Sequence, residues 1–77
     1  MPAPQPDRIA ARRRAIGRRI HDERMRANLT QETLCHRAHV DRATLQRIEA
    51  GTTDARLSWL LRIAEALGVP LADLVHE

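Results

Sequence analysis

Residues 30–51 read TQETLCHRAHVDRATLQRIEAG, and this stretch decides the fold. Thr30 and Asp41 are residue types that cap helix N-termini, because their side-chain oxygens accept hydrogen bonds from the unpaired backbone N–H groups there. Gly51 is typical of the position that follows a last helical turn, where glycine adopts the left-handed conformation without strain. The stretch therefore predicts two short helices joined by a tight turn at residues 39–40, which is a helix-turn-helix arrangement.

The segment before this motif predicts a first helix. Asp7 can cap it, and apolar residues recur along one of its sides. Gly17 lowers helix propensity by about 1 kcal/mol relative to alanine, so either one long helix or two shorter ones is compatible with the pattern. The apolar residues of this side are Ile9, Ile16, Ile20 and Ala27. Residues 1–6 contain three prolines, and we expect them to form a disordered leader.

The segment after the motif predicts two more helices. The first is the most apolar of the chain and ends at Gly68, and Pro70 suits the first turn of a short last helix. Its apolar positions are Leu57, Leu60, Leu61, Ile63, Ala64 and Leu67. We therefore expect an all-α fold, a compact five-helix domain over residues 7–77, with a core of aliphatic side chains.

Length and composition exclude several function classes. A chain of 77 residues has little room for a catalytic cleft, and it holds no arrangement typical of nucleophilic or acid–base catalysis, so we do not expect an enzyme. Cys35 is the only cysteine, which excludes an internal disulfide and fits a reducing compartment. No apolar run approaches the roughly 18 to 20 residues that span a bilayer, and we do not expect a signal segment. We expect a cytoplasmic protein.

A metal site is not expected. Cys35, His36 and His39 lie close together in sequence, but Cys35 falls on the apolar side of its helix between Leu34 and Ala38. Zinc needs four ligands, usually as two short pairs, and the other two histidines have no spacing relation to these residues. We expect neither a metal nor another cofactor.

Positive charge is concentrated in the first third of the chain. Residues 1–26 hold eight arginines against three acids, a net charge of +5, whereas the remainder carries −2. Clustered arginine favours a polyanionic partner, although a solvated helix face is the alternative. Arg12 to Arg14 are open to the same two interpretations. Every basic residue is arginine and none is lysine, which suits bidentate recognition of phosphate and guanine but also arises from genomic base composition.

The third predicted helix combines a buried side with a polar or small one. Leu45 and Ile48 lie on the buried side, and the opposite face has the shape that a helix reading the DNA major groove requires. Arginine donates two hydrogen bonds to guanine, glutamine addresses adenine, and alanine or a threonine methyl touches the thymine methyl. The candidate base-contacting residues are Arg42, Ala43, Thr44, Gln46 and Arg47.

The sequence from Ile16 through Val75 resembles the phage-repressor and Cro-type helix-turn-helix family, often named the Xre family. The run Leu29-Thr30-Gln31-Glu32 and the residues 63–69, IAEALGV, carry part of the likeness. The other matching positions are Leu34, Ala38, Val40, Leu45, Ile48, Glu49 and Gly51. The resemblance implies base contacts at Arg42, Ala43, Thr44 and Arg47 in preference to Gln46.

The same resemblance implies roles outside the reading face. Gln31, at the start of the second helix, would bind phosphate, where the helix dipole also favours an anion. The loop after the third helix would hold the sugar-phosphate backbone, although Asp54 would repel it. The loop residues concerned are Thr52, Thr53 and Arg56. Glu49 would form a structural ion pair with Arg24.

Two positions depart from the family pattern. His39 stands in the turn where the family usually has glycine, and histidine in the left-handed region is strained. Arg56 stands where a capping serine or threonine commonly precedes the fourth helix, so that helix is expected to fray or to bind phosphate through Arg56.

These features predict a sequence-specific transcriptional regulator, a repressor that binds a double-stranded DNA operator as a homodimer. Its expected dimer surface consists of Trp59, Leu71, Leu74 and Val75. An antitoxin or accessory module that uses this surface to hold another protein is the main alternative. Non-specific packaging of nucleic acid by the arginine-rich first helix is a third.

Overall fold

In a computed structural model, the chain is described for residues 5–77, with side chains from residue 8 onward. The described part contains five helices and no strand, so the all-α expectation is confirmed. The helices are α1 (Gln5–Arg26), α2 (Gln31–Ala38), α3 (Arg42–Ala50), α4 (Leu57–Leu67) and α5 (Leu71–Val75). Residues 1–4 of the predicted leader lie outside the described residues.

The first helix is a single one of 22 residues, which resolves the choice between one helix and two. It begins at Gln5, three residues before the start that a cap at Asp7 predicts, so Asp7 lies within the helix and not at its cap. Proline is tolerated in a first helical turn, where its missing N–H group would have no partner. The helix therefore includes Gln5 and Pro6, which the sequence had assigned to the leader.

The predicted ends of α2 and α3 are confirmed. The side chain of Thr30 accepts a hydrogen bond from the Thr33 N–H, and Asp41 accepts one from the Thr44 N–H. Gly51 follows the last residue of α3 and adopts the left-handed conformation, with φ 75°. The short motif helices thus carry their own start and stop signals, which reduces their dependence on the surrounding core.

The core takes one completely buried side chain from each helix. These residues are Ile20, Leu34, Leu45, Ile63 and Leu74, each with 0% exposure. In contrast, Ile9, Leu57 and Leu61 are 47%, 62% and 48% exposed, so their expected placement on the inner side is wrong. The reason is that the packed core takes only part of the apolar residues of α1 and α4, among them Ile16, Ile20, Ile63 and Ala64.

Helix α1 crosses α3 at very short range. A β carbon built on Gly17 would collide with the backbone carbonyl of Ile48 and would lie 2.5 Å from that of Glu49. Any side chain at residue 17 would separate the two helices. The sequence had indicated only the propensity cost of Gly17, whereas its packing role depends on this crossing.

No helix of the described part is both long and apolar enough to cross a membrane.

Candidate nucleic-acid interface

The turn between α2 and α3 is held in one conformation. His39 adopts φ 55° and ψ 46°, the left-handed region, as expected for this position. Its N–H and that of Val40 both donate to the Cys35 carbonyl, the latter at 3.1 Å. Arg62 of α4 donates from Nε to the Ala38 carbonyl at 3.1 Å and so supports the end of α2. These contacts fix the angle at which α3 leaves the turn.

Helix α3 presents a solvent-facing surface opposite its buried side. Leu45 and Ile48 are 0% and 3% exposed and anchor the helix to the core. The exposed surface brings together four of the five predicted base-contacting residues. They are Arg42, Ala43, Gln46 and Arg47, all of them exposed. We name these four residues the reading face.

Thr44 does not belong to the reading face, and its assignment as a base contact stays a prediction. The residue is only 5% exposed, because it lies on the side of α3 that faces the protein. Its hydroxyl donates to Asp41 Oδ1 at 2.6 Å. The hydroxyl oxygen also accepts a 3.4 Å hydrogen bond from Nη2 of Arg47.

A buried ion pair joins α1 to α3. Arg24 Nε donates to Glu49 Oε2 at 2.8 Å, and Arg24 Nη2 donates to Glu49 Oε1 at 3.0 Å. The two side chains are 9% and 7% exposed. Arg24 Nη1 also donates to the Leu29 carbonyl at 2.9 Å, which secures the segment between α1 and α2. A bidentate pair of this kind fixes orientation as well as distance.

Both partners of this pair are charged at neutral pH. Burial raises the pKa of the Glu49 carboxyl, but hydrogen bonds from Arg24 and Gln31 outweigh it and hold the pKa below its usual range. The hydrogen bond to Glu49 raises the pKa of Arg24 against the opposing effect of burial. The ion pair is therefore a permanent part of the fold above acidic pH.

Gln31 and His21 extend the ion pair toward the surface. Gln31, the first residue of α2, donates from Nε2 to Glu49 Oε1 at 3.3 Å. His21 Nδ1 lies 3.3 Å from the same oxygen and 3.2 Å from Nη2 of Arg24. Gln31 is thus at the helix N-terminus where a phosphate was expected, with its amide tethered to Glu49. His21 was not predicted from the sequence, although it precedes Arg24 by three residues and so shares its helix face.

The loop after α3 has more internal contacts than its sequence indicated. The Thr52 hydroxyl donates to the Arg47 carbonyl at 3.4 Å, and the Arg56 guanidinium lies 5.3 Å from the ring centre of Trp59. Arg13 reaches Asp54 Oδ1, with Nη2 at 2.6 Å. Since Arg13 neutralises Asp54, the expected repulsion between this loop and a phosphate is reduced. Thr53 of the same loop is half-buried.

Helix α1 uses several of its arginines within the protein. Arg12 Nη2 donates to the Val75 carbonyl at 2.6 Å, and Arg19 Nη1 donates to the Asp73 carbonyl at 3.1 Å. Both therefore hold the end of α5. Arg14 is exposed beside the end of α3, where it approaches Gly51. The three consecutive arginines at residues 12–14 thus have different surroundings.

The expected dimer surface is only partly accessible. Leu74 is completely buried in the core, so its assignment to this surface is wrong. It points inward because the five-residue α5 has one apolar side, and that side packs against the rest of the core. Trp59, Leu71 and Val75 are half-buried at the edge of the core.

Cys35 is a core residue, 8% exposed, and burial raises the pKa of its thiol. Among the described residues, no three histidine, cysteine or acidic side chains converge in a way that would hold a metal ion.

A helix-turn-helix unit with an exposed, arginine-bearing second helix defines the class of DNA-binding regulators. The family model described as helix-turn-helix domain matches residues 15–76. The chain belongs to this family, and the resemblance to the Xre family of helix-turn-helix proteins is confirmed. Family and fold are those of DNA-binding transcription regulators.

Three solved structures illustrate the likeness. The restriction-modification controller protein C.AhdI from Aeromonas hydrophila is 30% identical, with TM-score 0.81 over 83% of this chain and 97% of that one. The hypothetical transcription factor NHTF from Neisseria is 25% identical, with TM-score 0.79 over 83% and 74%. The competence regulator ComR from Streptococcus vestibularis is 37% identical, with TM-score 0.78 over 84% of this chain and 22% of its own. A comparison with curated proteins gives no match.

Proposed function

We propose that the protein is a transcriptional repressor that binds a specific double-stranded DNA operator as a homodimer and inserts α3 into the major groove. The observation that carries the proposal is the reading face, in which two exposed arginines stand on a helix anchored by Leu45 and Ile48. Arginine is the side chain that most often makes specific contacts with guanine in the major groove. The likeness to the controller protein C.AhdI supports a role in the control of transcription.

The two ends of the motif have separate tasks in this proposal. Arg42 and Arg47 read base edges, with Ala43 and Gln46 beside them. Gln31 and its tether to Glu49 set the position of α2 on a phosphate, and the loop residues Thr52, Thr53 and Arg56 contact the backbone beyond α3. Phosphate contacts fix the register of the protein on DNA but do not read its sequence. Loss of a phosphate contact should therefore weaken binding to all sequences, whereas loss of a base contact should reduce the preference for the operator.

Homodimer formation follows from the limited affinity of one short helix. Two copies related by a twofold axis would present two α3 helices to half-sites roughly 34 Å apart. Trp59, Leu71 and Val75 of the expected surface are half-buried at the edge of the core, and their accessible parts would form part of an apolar interface. Leu57 and Leu61 of α4 are exposed and would add to it.

The second candidate is an antitoxin or accessory module that holds another protein. It is favoured by the same exposed leucines, Leu57 and Leu61, which are 62% and 48% exposed. Non-specific packaging by α1 is less well supported, because Arg12, Arg13, Arg19 and Arg24 are engaged within the protein.

Selection of bound sequences from random duplexes, followed by a salt titration on the selected site, tests the proposal. We expect a palindromic consensus, with Arg47→Ala relaxing the preference at one base pair in each half-site by about 1–3 kcal/mol. Arg37→Ala is the matched control, since Arg37 is an exposed arginine on α2 outside the reading face.

The alternatives give different results in the same experiment. Steep salt dependence without any consensus would support packaging and contradict the regulator. Weak DNA binding that becomes strong and sequence-specific only when a partner protein is added would support the accessory role. Equal losses on specific and random DNA for Arg47→Ala would contradict base reading.

A further inference from the structure

The Asp41, Thr44 and Arg47 side chains form a directional chain of hydrogen bonds along one side of α3. Asp41 Oδ2 accepts from the Thr44 N–H at 3.1 Å, and Asp41 Oδ1 accepts from the Thr44 hydroxyl at 2.6 Å. The carboxylate of the helix cap therefore binds both the backbone and the side chain of the same residue. This double contact holds the hydroxyl of Thr44 in one orientation.

The orientation of the Thr44 hydroxyl determines whether it can accept a hydrogen bond from Arg47. A hydroxyl has one proton and two lone pairs, and the proton of Thr44 is committed to Asp41. Its oxygen is left as an acceptor, and Arg47 Nη2 donates to it at 3.4 Å. Thr44 and Arg47 are three residues apart, so they are neighbours on the helix surface.

The negative charge of Asp41 also favours a position of the Arg47 guanidinium close to Thr44. The pKa of its carboxyl lies below the usual range, chiefly because the Thr44 hydroxyl and N–H donate to it, with a smaller effect of the positive Arg47. Asp41 is thus ionised at neutral pH and attracts the guanidinium toward the N-terminal part of α3. Attraction by the carboxylate and donation to Thr44 favour one position of the Arg47 side chain.

We propose that Thr44 is a positioning residue, which tethers the Arg47 guanidinium to the Asp41 cap in the free protein and so preorganises it for base recognition. The proposal rests on the proposed function and assigns Thr44 a role in specificity that requires no DNA contact of its own. Arg47 keeps enough of its five N–H donors for a bidentate contact with guanine. Fixing an interface side chain in advance is worth about 2- to 13-fold in affinity.

The test uses Thr44→Val, which removes the hydroxyl at nearly constant shape, and Thr44→Ser, which keeps it. Affinity is measured for all four base pairs at the position where Arg47→Ala loses its preference. We expect Thr44→Val to reduce the ratio of affinities for the preferred and the other base pairs by about 2- to 10-fold at that position alone. Thr44→Ser should retain the wild-type ratio. Thr33→Val is the matched control, because the Thr33 hydroxyl lies in α2 and accepts a hydrogen bond from the Thr30 hydroxyl at the cap of that helix.

A second measurement needs no DNA. The order of the Arg47 Nε–H bond vector in the free protein, measured by nitrogen-15 relaxation, should fall in Thr44→Val and stay high in Thr44→Ser and Thr33→Val. If Thr44→Val does not fold, Asp41→Asn replaces it. Asparagine still caps the helix but leaves the Thr44 hydroxyl without its carboxylate partner, so a fall in Arg47 order is expected there too.

Several results would overturn the inference. Unchanged Arg47 order together with an unchanged base preference in Thr44→Val would show that the tether has no effect. A uniform loss of affinity on every sequence, in step with a lower melting temperature, would show a structural role only. A wild-type protein without any base preference would instead defeat the proposed function, an outcome distinct from a preference that survives Thr44→Val.

Discussion

Gly17 of α1 lies against the backbone of Glu49 in α3, so closely that a β carbon on Gly17 would lie 2.5 Å from the Glu49 carbonyl oxygen. The helix crossing that places the reading face therefore requires glycine at residue 17. The same crossing brings Arg24, less than two turns further along α1, to the Glu49 carboxylate.

The first prediction concerns this contact. Alanine is favoured over glycine in a helix by about 1 kcal/mol, yet Gly17→Ala should lower the stability of the protein. The added methyl group meets backbone carbonyls, which cannot rotate away, and overpacking of this kind costs about 1–3 kcal/mol or more. Thermal unfolding followed by circular dichroism measures the effect. Arg18→Ala, an exposed neighbour on α1, should change stability by less than about 0.5 kcal/mol. A gain in stability for Gly17→Ala would contradict the close crossing.

The second prediction concerns the buried ion pair. Glu49→Ala leaves Arg24 buried without its partner and should cost about 3–5 kcal/mol in unfolding free energy. Glu23→Ala is the matched control, because Glu23 pairs with Arg26 at the surface, 2.8 Å from Oε2 to Nη1. An exposed pair of this kind contributes only about 0–1 kcal/mol. Unchanged melting temperature and DNA binding in Glu49→Ala would show that the pairing is wrong.

The third prediction is a loss of stability in acid that depends on Glu49. The pKa of this carboxyl in the folded protein lies below its ordinary value of 4.5. The stabilisation from its ionised form is therefore complete above pH 4.5 and is lost as the pH falls through the lower folded pKa.

Urea unfolding between neutral pH and about pH 2 measures this loss. Glu49→Gln should be less stable than wild type at neutral pH, with a smaller further decrease in acid. Parallel acid curves for the two proteins would contradict the assignment.

The fourth prediction concerns the turn. His39 has φ 55°, and a non-glycine residue in the left-handed region costs about 1–2 kcal/mol. His39→Gly should therefore stabilise the protein, by about 0.5–1 kcal/mol once the greater freedom of glycine in the unfolded chain is subtracted. Asn28→Gly, at φ 58°, should gain less because asparagine tolerates this region better. A destabilised His39→Gly would indicate that the imidazole makes a contact that outweighs the backbone strain.

Sequence reasoning succeeded where the chemistry is local. The caps at Thr30 and Asp41 and the left-handed positions at His39 and Gly51 follow from short-range hydrogen bonding and backbone preference, which the residue type itself carries. The exposed placement of Arg42 and Arg47 follows from helical periodicity once Leu45 is known to be buried.

It failed where the outcome depends on how helices cross. Thr44 was expected to be available for a base contact, but it is only 5% exposed on the side of α3 that faces the protein. Leu74 was expected at the surface, whereas α5 buries it and α4 leaves Leu57 outside. The close approach of α3 to Gly17 cannot be predicted from the neighbouring sequence. Glycine within a helix indicates only a lower helix propensity unless the helix that packs against it is known.

Arg24 shows what an arginine does here that a lysine would not. Its three guanidinium nitrogens donate to separate acceptors, Nε and Nη2 to the two oxygens of Glu49 and Nη1 to the Leu29 carbonyl. An ammonium group is a compact point charge without the planar fork that matches two carboxylate oxygens. Genomic base composition can explain the general preference for arginine over lysine in this chain. At residue 24, however, the three separate hydrogen bonds require a guanidinium group.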